Sequence, residues 1–183
     1  MNEFQWLVDQ AYEEAKQGHW HKLLHDWIKA PALGNRCSRY IKPGSRWTFL
    51  HQAAYFGNED ACQDLIRRGA VIDARAHDAR TPADVANQMG HSKLAALLEQ
   101  AFIRDKELWG PPTDPEALPS SNQWQDARPA IATEDMFVVY GERVIRIAKS
   151  SRCFVDAFGR TLIGWHGSYD PPCDQGGMPQ ISC

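Results

Sequence analysis

Landmarks in the middle of this chain recur every 33 positions. Thr48 precedes Thr81, Ala53 precedes Ala86, Gly57 precedes Gly90 and Leu65 precedes Leu98, each by that one interval. A repeat of this length restricts the fold more than composition can. Each unit is a small helical element that cannot cover its own apolar face, so neighbouring units must stack. The landmarks have separate physical roles. Thr48 and Thr81 stand where a helix needs a capping hydroxyl, and Pro82 follows with a backbone angle suited to a first helical turn. Ala53 and Ala86 are small enough to let antiparallel helices approach. Gly57 and Gly90 fall where the first helix of each unit must end on a left-handed residue. Leu65, Ile66, Leu97 and Leu98 are placed to fill the seam between units.

The period, together with Thr48-Phe49-Leu50-His51-Gln52-Ala53 and Thr81-Pro82-Ala83-Asp84-Val85-Ala86, resembles the Thr-Pro-Leu-His-x-Ala pattern of ankyrin repeats. The resemblance is fullest over residues 47–74, which run WTFLHQAAYFGNEDACQDLIRRGAVIDA and include a Gly69-Ala70 pair where the family stops its second helix. The second unit departs from the pattern at Ala83-Asp84, where the family has Leu-His. The resemblance implies repeats over 44–74 and 75–108. Two units fall short of the three or so that such a fold needs. A degenerate N-terminal repeat over 1–43 is therefore expected as the third, with Gly18-His19 between two helices. Gly18 lies 39 positions before Gly57, six more than the period. The excess is assigned to a loop, PALGNRCSRYIKPGSR, rich in Gly, Pro and Ser.

In proteins of this family the usual contact surface is the hairpin tips and the exposed ends of the first helices. Carried over by position, the resemblance implies a partner-binding set of Trp47, His77, Asp78 and Arg80 at the tips and Tyr55, Phe56, Gln88 and Met89 at the helix ends, with Lys16 and Gln17 in the first unit. Trp, Tyr and Arg are the residue types that dominate interface energy, which singles out Trp47, Tyr55 and Phe56. His51 is expected to brace the hairpin by hydrogen bonds rather than to bind a ligand. Packing of these aromatics against the chain's own C-terminal segment is the competing reading.

Beyond the repeats the character changes. Residues 109–135 hold five prolines between Pro111 and Pro129, which forbid a long helix, and two tryptophans, which suit an ordered strap. From Phe137 the apolar period becomes two. Residues 137–140 and 143–147 flank Gly141-Glu142 as a hairpin with a II′ turn, and 153–157 and 161–165 flank Phe158-Gly159-Arg160 as a second. These predict a four-strand antiparallel meander within a small β module over 136–183. The fold class expected is mainly α: a short stack of helical hairpins with that module appended.

Three chemical signals lie in the β module, and none has its context. His166-Gly167-Ser168 resembles the His-Gly-Ser of ADP-ribosyltransferases, but 15 residues follow Ser168 and none is Glu, which that family requires. His166, Cys173 and Cys183, with Cys153 or Asp156, are zinc-ligand types without a closely spaced pair. Cys173, His166 and Asp156 match the members of a cysteine-nucleophile triad in type alone, with nothing to lower the thiol pKa. Arg143, Arg146, Lys149, Arg152 and Arg160 form one local basic cluster. No cofactor and no catalytic residue is assigned.

The five cysteines are odd in number and irregularly spaced, which argues against a disulfide framework. A net charge of -3 argues against nucleic acid as partner. No apolar run nears the roughly 20 residues of a membrane span, and residues 1–17 carry acids where a signal peptide needs bases. The expectation is a cytoplasmic, non-enzymatic module that binds another protein as adaptor or inhibitor. The alternative is that the β module carries an activity, as a small enzyme or a zinc- or nucleic-acid-binding unit.

Overall fold

A computed structural model describes residues 3–105, 114, 116–164 and 167–171. The chain divides into two compact units, Met1–Lys106 and Glu107–Cys183.

The first unit is helical throughout: α1 (Glu3–Lys16), α2 (Trp20–Lys29), α3 (Pro31–Ser38), α4 (Phe49–Tyr55), α5 (Glu59–Arg67), α6 (Pro82–Gln88) and α7 (Ser92–Asp105). α4 with α5, and α6 with α7, are the two helix pairs marked by the 33-residue period, and α1, α4 and α6 pack side by side in that order. The caps explain where the short helices begin. The Thr48 hydroxyl accepts from the His51 amide, and the His51 ring accepts from the Thr48 amide, a reciprocal capping box. Thr81 and Asp84 make the same box one period later: the Asp84 carboxylate accepts from the Thr81 amide at 2.8 Å. Asp84 therefore does at the helix start what His51 does, which accounts for the departure from the family pattern at that position. Gly18, Gly57 and Gly90 end the first helices at φ +80°, +66° and +85°.

The 16-residue segment expected as a loop between the N-terminal helices and the first 33-residue repeat is half helix. Its first eight residues are α3, opened by Pro31 at the first helical positions, and α3 packs on α1, α2, α4 and α5. Turn-forming composition misled here because tertiary contacts outweigh propensity. Cys37 and Ser38 are buried, and the fully buried Arg68 anchors the helix from α5. The Arg68 guanidinium bonds Asp64 at 2.7 Å, Asn35 at 2.9 Å and the Pro31 carbonyl at 3.3 Å. Burial alone would raise the Asp64 pKa; Arg67 and Arg68 outweigh it and hold the carboxyl below its ordinary value. Gly34 is required by this packing, since a Cβ there would stand 2.9 Å from the Arg68 guanidinium carbon.

The core of the unit is aromatic at its N-terminal end. Trp20, Trp27, Tyr12 and Phe49 are buried, and Phe49 meets Tyr12, Trp27 and Tyr40 at edge-on angles with centroids 5.3–6.0 Å apart. Toward α7 it becomes aliphatic, with Leu65, Ile66, Val85, Leu94 and Leu98 buried.

The second unit is β. Its strands are β1 (Ser120–Ser121), β2 (Arg128–Ile131), β3 (Met136–Tyr140), β4 (Arg143–Ile147), β5 (Arg152–Val155) and β6 (Thr161–Leu162), with a 3-10 turn at Trp124–Asp126. Both hairpins expected from the period-2 pattern are present: β3 pairs antiparallel with β4, and β5 with β6. Gly141 has φ +57°, as the first central position of a II′ turn demands.

They do not join into one meander. β3 and β4 form a two-stranded sheet, while β5 and β6 lie inside a four-stranded sheet ordered β1-β6-β5-β2, in which β1 and β6 run parallel. The additional strands come from the segment read as a strap. Ala-Leu-Pro-Ser-Ser has no strand-like alternation, yet its backbone is satisfied from both sides. Leu118 exchanges hydrogen bonds with Phe137 and Val139 of β3, and Ile163 donates to Ser121. Pro129 is tolerated because β2 is the edge strand. One apolar cluster, including Leu118, Met136, Val138, Ile147, Cys153 and Ile163, holds the two sheets together.

Candidate functional site

Of the residues implied as a partner-binding set, Trp47, Tyr55, Phe56, His77, Asp78, Arg80 and Gln88 come together on one edge of the helical unit. Two loops form its tips. In residues 42–47 the chain reverses, with Lys42 donating to the Trp47 carbonyl at 2.8 Å and an isolated bridge between Ile41 and Thr48. In residues 75–80 it reverses again, with Ala76 donating to the Arg80 carbonyl at 3.0 Å. His77 ties the tips together, its amide donating to the Ser45 carbonyl at 2.8 Å, while its side chain stays exposed.

Trp47 stands at the centre. Its ring stacks on His51 with centroids 5.5 Å apart and tilts against Tyr55 at 6.3 Å, and Tyr55 meets Phe56 edge-on at 5.2 Å. The Arg80 guanidinium lies 5.8 Å from the Trp47 ring centroid. Arg80 is itself held by Asp78 at 2.8 Å and by the Gln88 side-chain carbonyl. Trp47, Tyr55, Phe56, Asp78, Arg80 and Gln88 thus form one connected group. Tyr55, Phe56 and Met89 are each 41% exposed, large apolar groups left to solvent. Phe56 also lies against Gly18, where a Cβ would meet its ring at 3.0 Å, which carries the ridge onto the end of α1.

His51 sits beneath this surface and is fully buried. The Thr48 amide donates to Nδ1, so the proton resides on Nε2, which donates to the Arg80 carbonyl at 3.1 Å. The ring therefore joins its own helix cap to the next tip as a neutral imidazole. Burial lowers its pKa below the ordinary histidine value, outweighing the Arg80 carbonyl that works the other way.

Of the chemical signals in the second unit, Asp156 has structural duties. Its carboxylate accepts from the Phe158 and Arg160 amides at 2.9 and 3.0 Å and pairs with the Arg160 Nε at 3.0 Å, and both residues are 1% exposed. Sequence spacing alone had placed Asp156 among the metal or triad candidates and Arg160 in the basic cluster. The five-residue loop between β5 and β6 uses both, and Arg160 leaves the surface. Arg146 pairs with Asp135 at 2.9 Å, so the remaining cluster is partly neutralised. Cys153 is buried in the core. His166, Cys173 and Cys183 lie outside the described residues. Among the described residues no three His, Cys, Asp or Glu side chains gather as metal ligands. Burial pushes the Cys37 thiol up to about 12 and the Cys62 thiol well above its ordinary value.

Sequence reasoning missed the pocket beside Trp47, of about 350 Å³, lined by residues of α1, the first tip and α4. Lys42 and Ser45, which line it, belong to the tip rather than to the family pattern, so no motif marks them.

No family model matches the chain. Its sequence is similar to parts of several large proteins. It is 38% identical over 72 residues to the E3 ubiquitin-protein ligase hecd-1 of Caenorhabditis elegans, covering 37% of this chain and 3% of that protein. It is 31% identical over 101 residues to a transient receptor potential cation channel subfamily A member 1 homolog of the same organism, covering 51% and 8%. It is 30% identical over 101 residues to calmodulin-binding transcription activator 3 of Arabidopsis thaliana, covering 50% and 10%. The chain thus spans a tenth or less of the length of these relatives. All three contain ankyrin repeats. Among the described residues no helix is long and apolar enough to cross a membrane.

Proposed function

We propose that this chain is a non-enzymatic interaction module of the ankyrin-repeat type, an adaptor or inhibitor that binds a protein partner along the edge formed by its two tips and the ends of α1, α4 and α6. In this reading residues 1–43, 44–74 and 75–108 are three stacked repeats, and 109–135 is a strap whose β1 and β2 complete the sheet of a small β module over 136–183. The observation that carries it is the exposed aromatic ridge. Trp47 meets Tyr55 and Tyr55 meets Phe56, with the hydrogen-bonded His51 ring against Trp47 and the Arg80 guanidinium over the Trp47 ring. A rigid, partly exposed aromatic cluster flanked by arginine is the composition of an interface hot spot. The likeness to ankyrin-repeat proteins supports an interaction role without naming the partner. Two buried free thiols, Cys37 and Cys62, support a reducing, cytoplasmic setting.

The test is affinity capture on the intact chain beside a Trp47→Ala, Tyr55→Ala, Phe56→Ala triple variant, with circular dichroism to establish that the variant folds. Partners held by the parent and lost by the variant are the expected result. Undiminished capture by a folded variant would move the binding surface elsewhere.

A further inference from the structure

The tips are basic in an acidic chain. Residues 42–47 and 75–80 carry Lys42, Arg46, Arg75 and Arg80 against one carboxylate, Asp78, while the whole chain has 20 basic and 23 acidic residues. Below the first tip lies the pocket beside Trp47. Tyr12 and Gln52, both buried, make its floor, and the Gln52 amide donates to the Tyr12 hydroxyl at 3.0 Å. Half-buried Trp47 forms a wall. At the rim two ammonium groups converge on one carboxylate: Lys16 and Lys42 approach Glu13 at 3.6 and 3.8 Å. The local sum is one positive charge, set beside an aromatic wall and continuous with the exposed Tyr55 and Phe56.

From this juxtaposition we infer that the ridge recognises an acidic peptide segment carrying apolar side chains, with one carboxylate drawn by the net positive charge of Lys16 and Lys42 around Glu13 and the apolar groups laid over Trp47, Tyr55 and Phe56. The inference rests on the ridge being the binding surface, as proposed above, and adds the chemistry of what it binds. Two features favour a peptide over a nucleic acid. The cations are interleaved with carboxylates, Glu13 between the lysines and Asp78 on Arg80, which a continuous run of phosphates would meet repulsively and isolated carboxylates need not. Asp84, in the first turn of α6 near Arg80, is tied to the Thr81 amide and hydroxyl and adds to that repulsion. The apolar share of the ridge also matches side chains rather than a sugar-phosphate backbone.

The experiment selects random dodecapeptides displayed on phage against the intact chain, then measures the enriched peptides as synthetic, labelled probes by anisotropy. Parallel titrations use a single-stranded oligonucleotide and the variants Lys16→Glu, Lys42→Glu and, as a control on α7, Lys93→Glu. Circular dichroism and melting establish that each variant is folded. Enriched peptides should be acidic with at least one large apolar residue. Added salt should weaken them, and so should either rim reversal, by about tenfold or more, while Lys93→Glu leaves them unchanged. Replacing the critical peptide acid by Lys should restore binding to Lys42→Glu.

Enrichment of neutral or basic peptides, no enrichment, tighter binding of the oligonucleotide, or indifference to both rim reversals would overturn the inference. If peptides bind and the aromatic triple variant abolishes them while the rim reversals do not, the ridge stands as the binding surface and only its acidic preference fails. If the triple variant binds peptides as well as the parent does, the ridge itself fails.

Discussion

The ring of His91 occupies the space that a side chain on Gly57 would need. A Cβ built on Gly57 would lie 2.6 Å from the His91 ring, and Gly57 holds φ +66°. His91 Nε2 lies 3.3 Å from the Tyr55 carbonyl, so the ring, just before α7, clamps the end of α4. Gly90 has φ +85° with open space around it. The two glycines one period apart thus differ in one respect: both need the left-handed backbone, and Gly57 also needs the close approach.

Gly57→Ala should therefore destabilise the chain more than Gly90→Ala. The backbone strain costs about 1 kcal/mol at either site, and overpacking adds about 1–3 kcal/mol at Gly57 alone. Urea titrations of the two variants check the order. Adding His91→Ala to Gly57→Ala should recover the packing part, and equal losses for the two glycines would refute the clash.

Gly34→Ala should cost about 1–3 kcal/mol despite the usual preference of helices for Ala over Gly. The added methyl would press on a guanidinium that Asp64, Asn35 and the Pro31 carbonyl hold in place. A melting temperature below that of the parent is the expected reading, and a rise would show that Arg68 yields at little cost.

Folding should weaken as pH falls because of His51. Its folded pKa is lowered, so between about 6.5 and that lower value the unfolded chain binds a proton that the folded chain does not. The contribution is fully present above about pH 6.5 and is lost as pH falls through the folded pKa. Asp78 and Asp84 favour the proton and Arg80 opposes it, but burial is the largest effect. Denaturant midpoints for the parent and for His51→Gln, followed from pH 7.5 to about 5.5, should show the steeper decline in the parent. Parallel curves would remove His51 as the cause.

Arg160→Met should loosen the loop between β5 and β6 severely, because it leaves the fully buried Asp156 carboxylate without its countercharge. A loss of about 3–5 kcal/mol is typical for one half of a buried pair. Amide exchange at Phe154, Val155 and Leu162 reports it directly. Unchanged protection at those amides would mean the two backbone amides alone hold the carboxylate.

The four helices of the central repeats were legible because their signals are local and paired. Thr48 with His51, and Thr81 with Asp84, are capping boxes closed within one turn, and Gly57 and Gly90 stand where a left-handed residue is unavoidable. The aromatic cluster of Trp47, Tyr55 and Phe56 could be placed on one ridge for the same reason, since two of its members are neighbours and the third lies two helical turns away. Both β hairpins were legible from period and turn chemistry.

Helix α3, strand β1 and the pocket beside Trp47 depended on tertiary structure. α3 exists in a Gly- and Pro-bearing segment because Arg68, 30 or more positions further along, satisfies its polar groups and fills the space over Gly34. Ser120 and Ser121 become a strand because two hairpins remote in sequence present free backbone groups on either side. Lys16 and Lys42 face one carboxylate only once α1 and the first tip are packed together. Sequence alone determined what short-range hydrogen bonds and side-chain period can specify. The rest was decided by contacts whose energies exist only after distant segments meet, and those contacts shape the exposed edge of the helical unit.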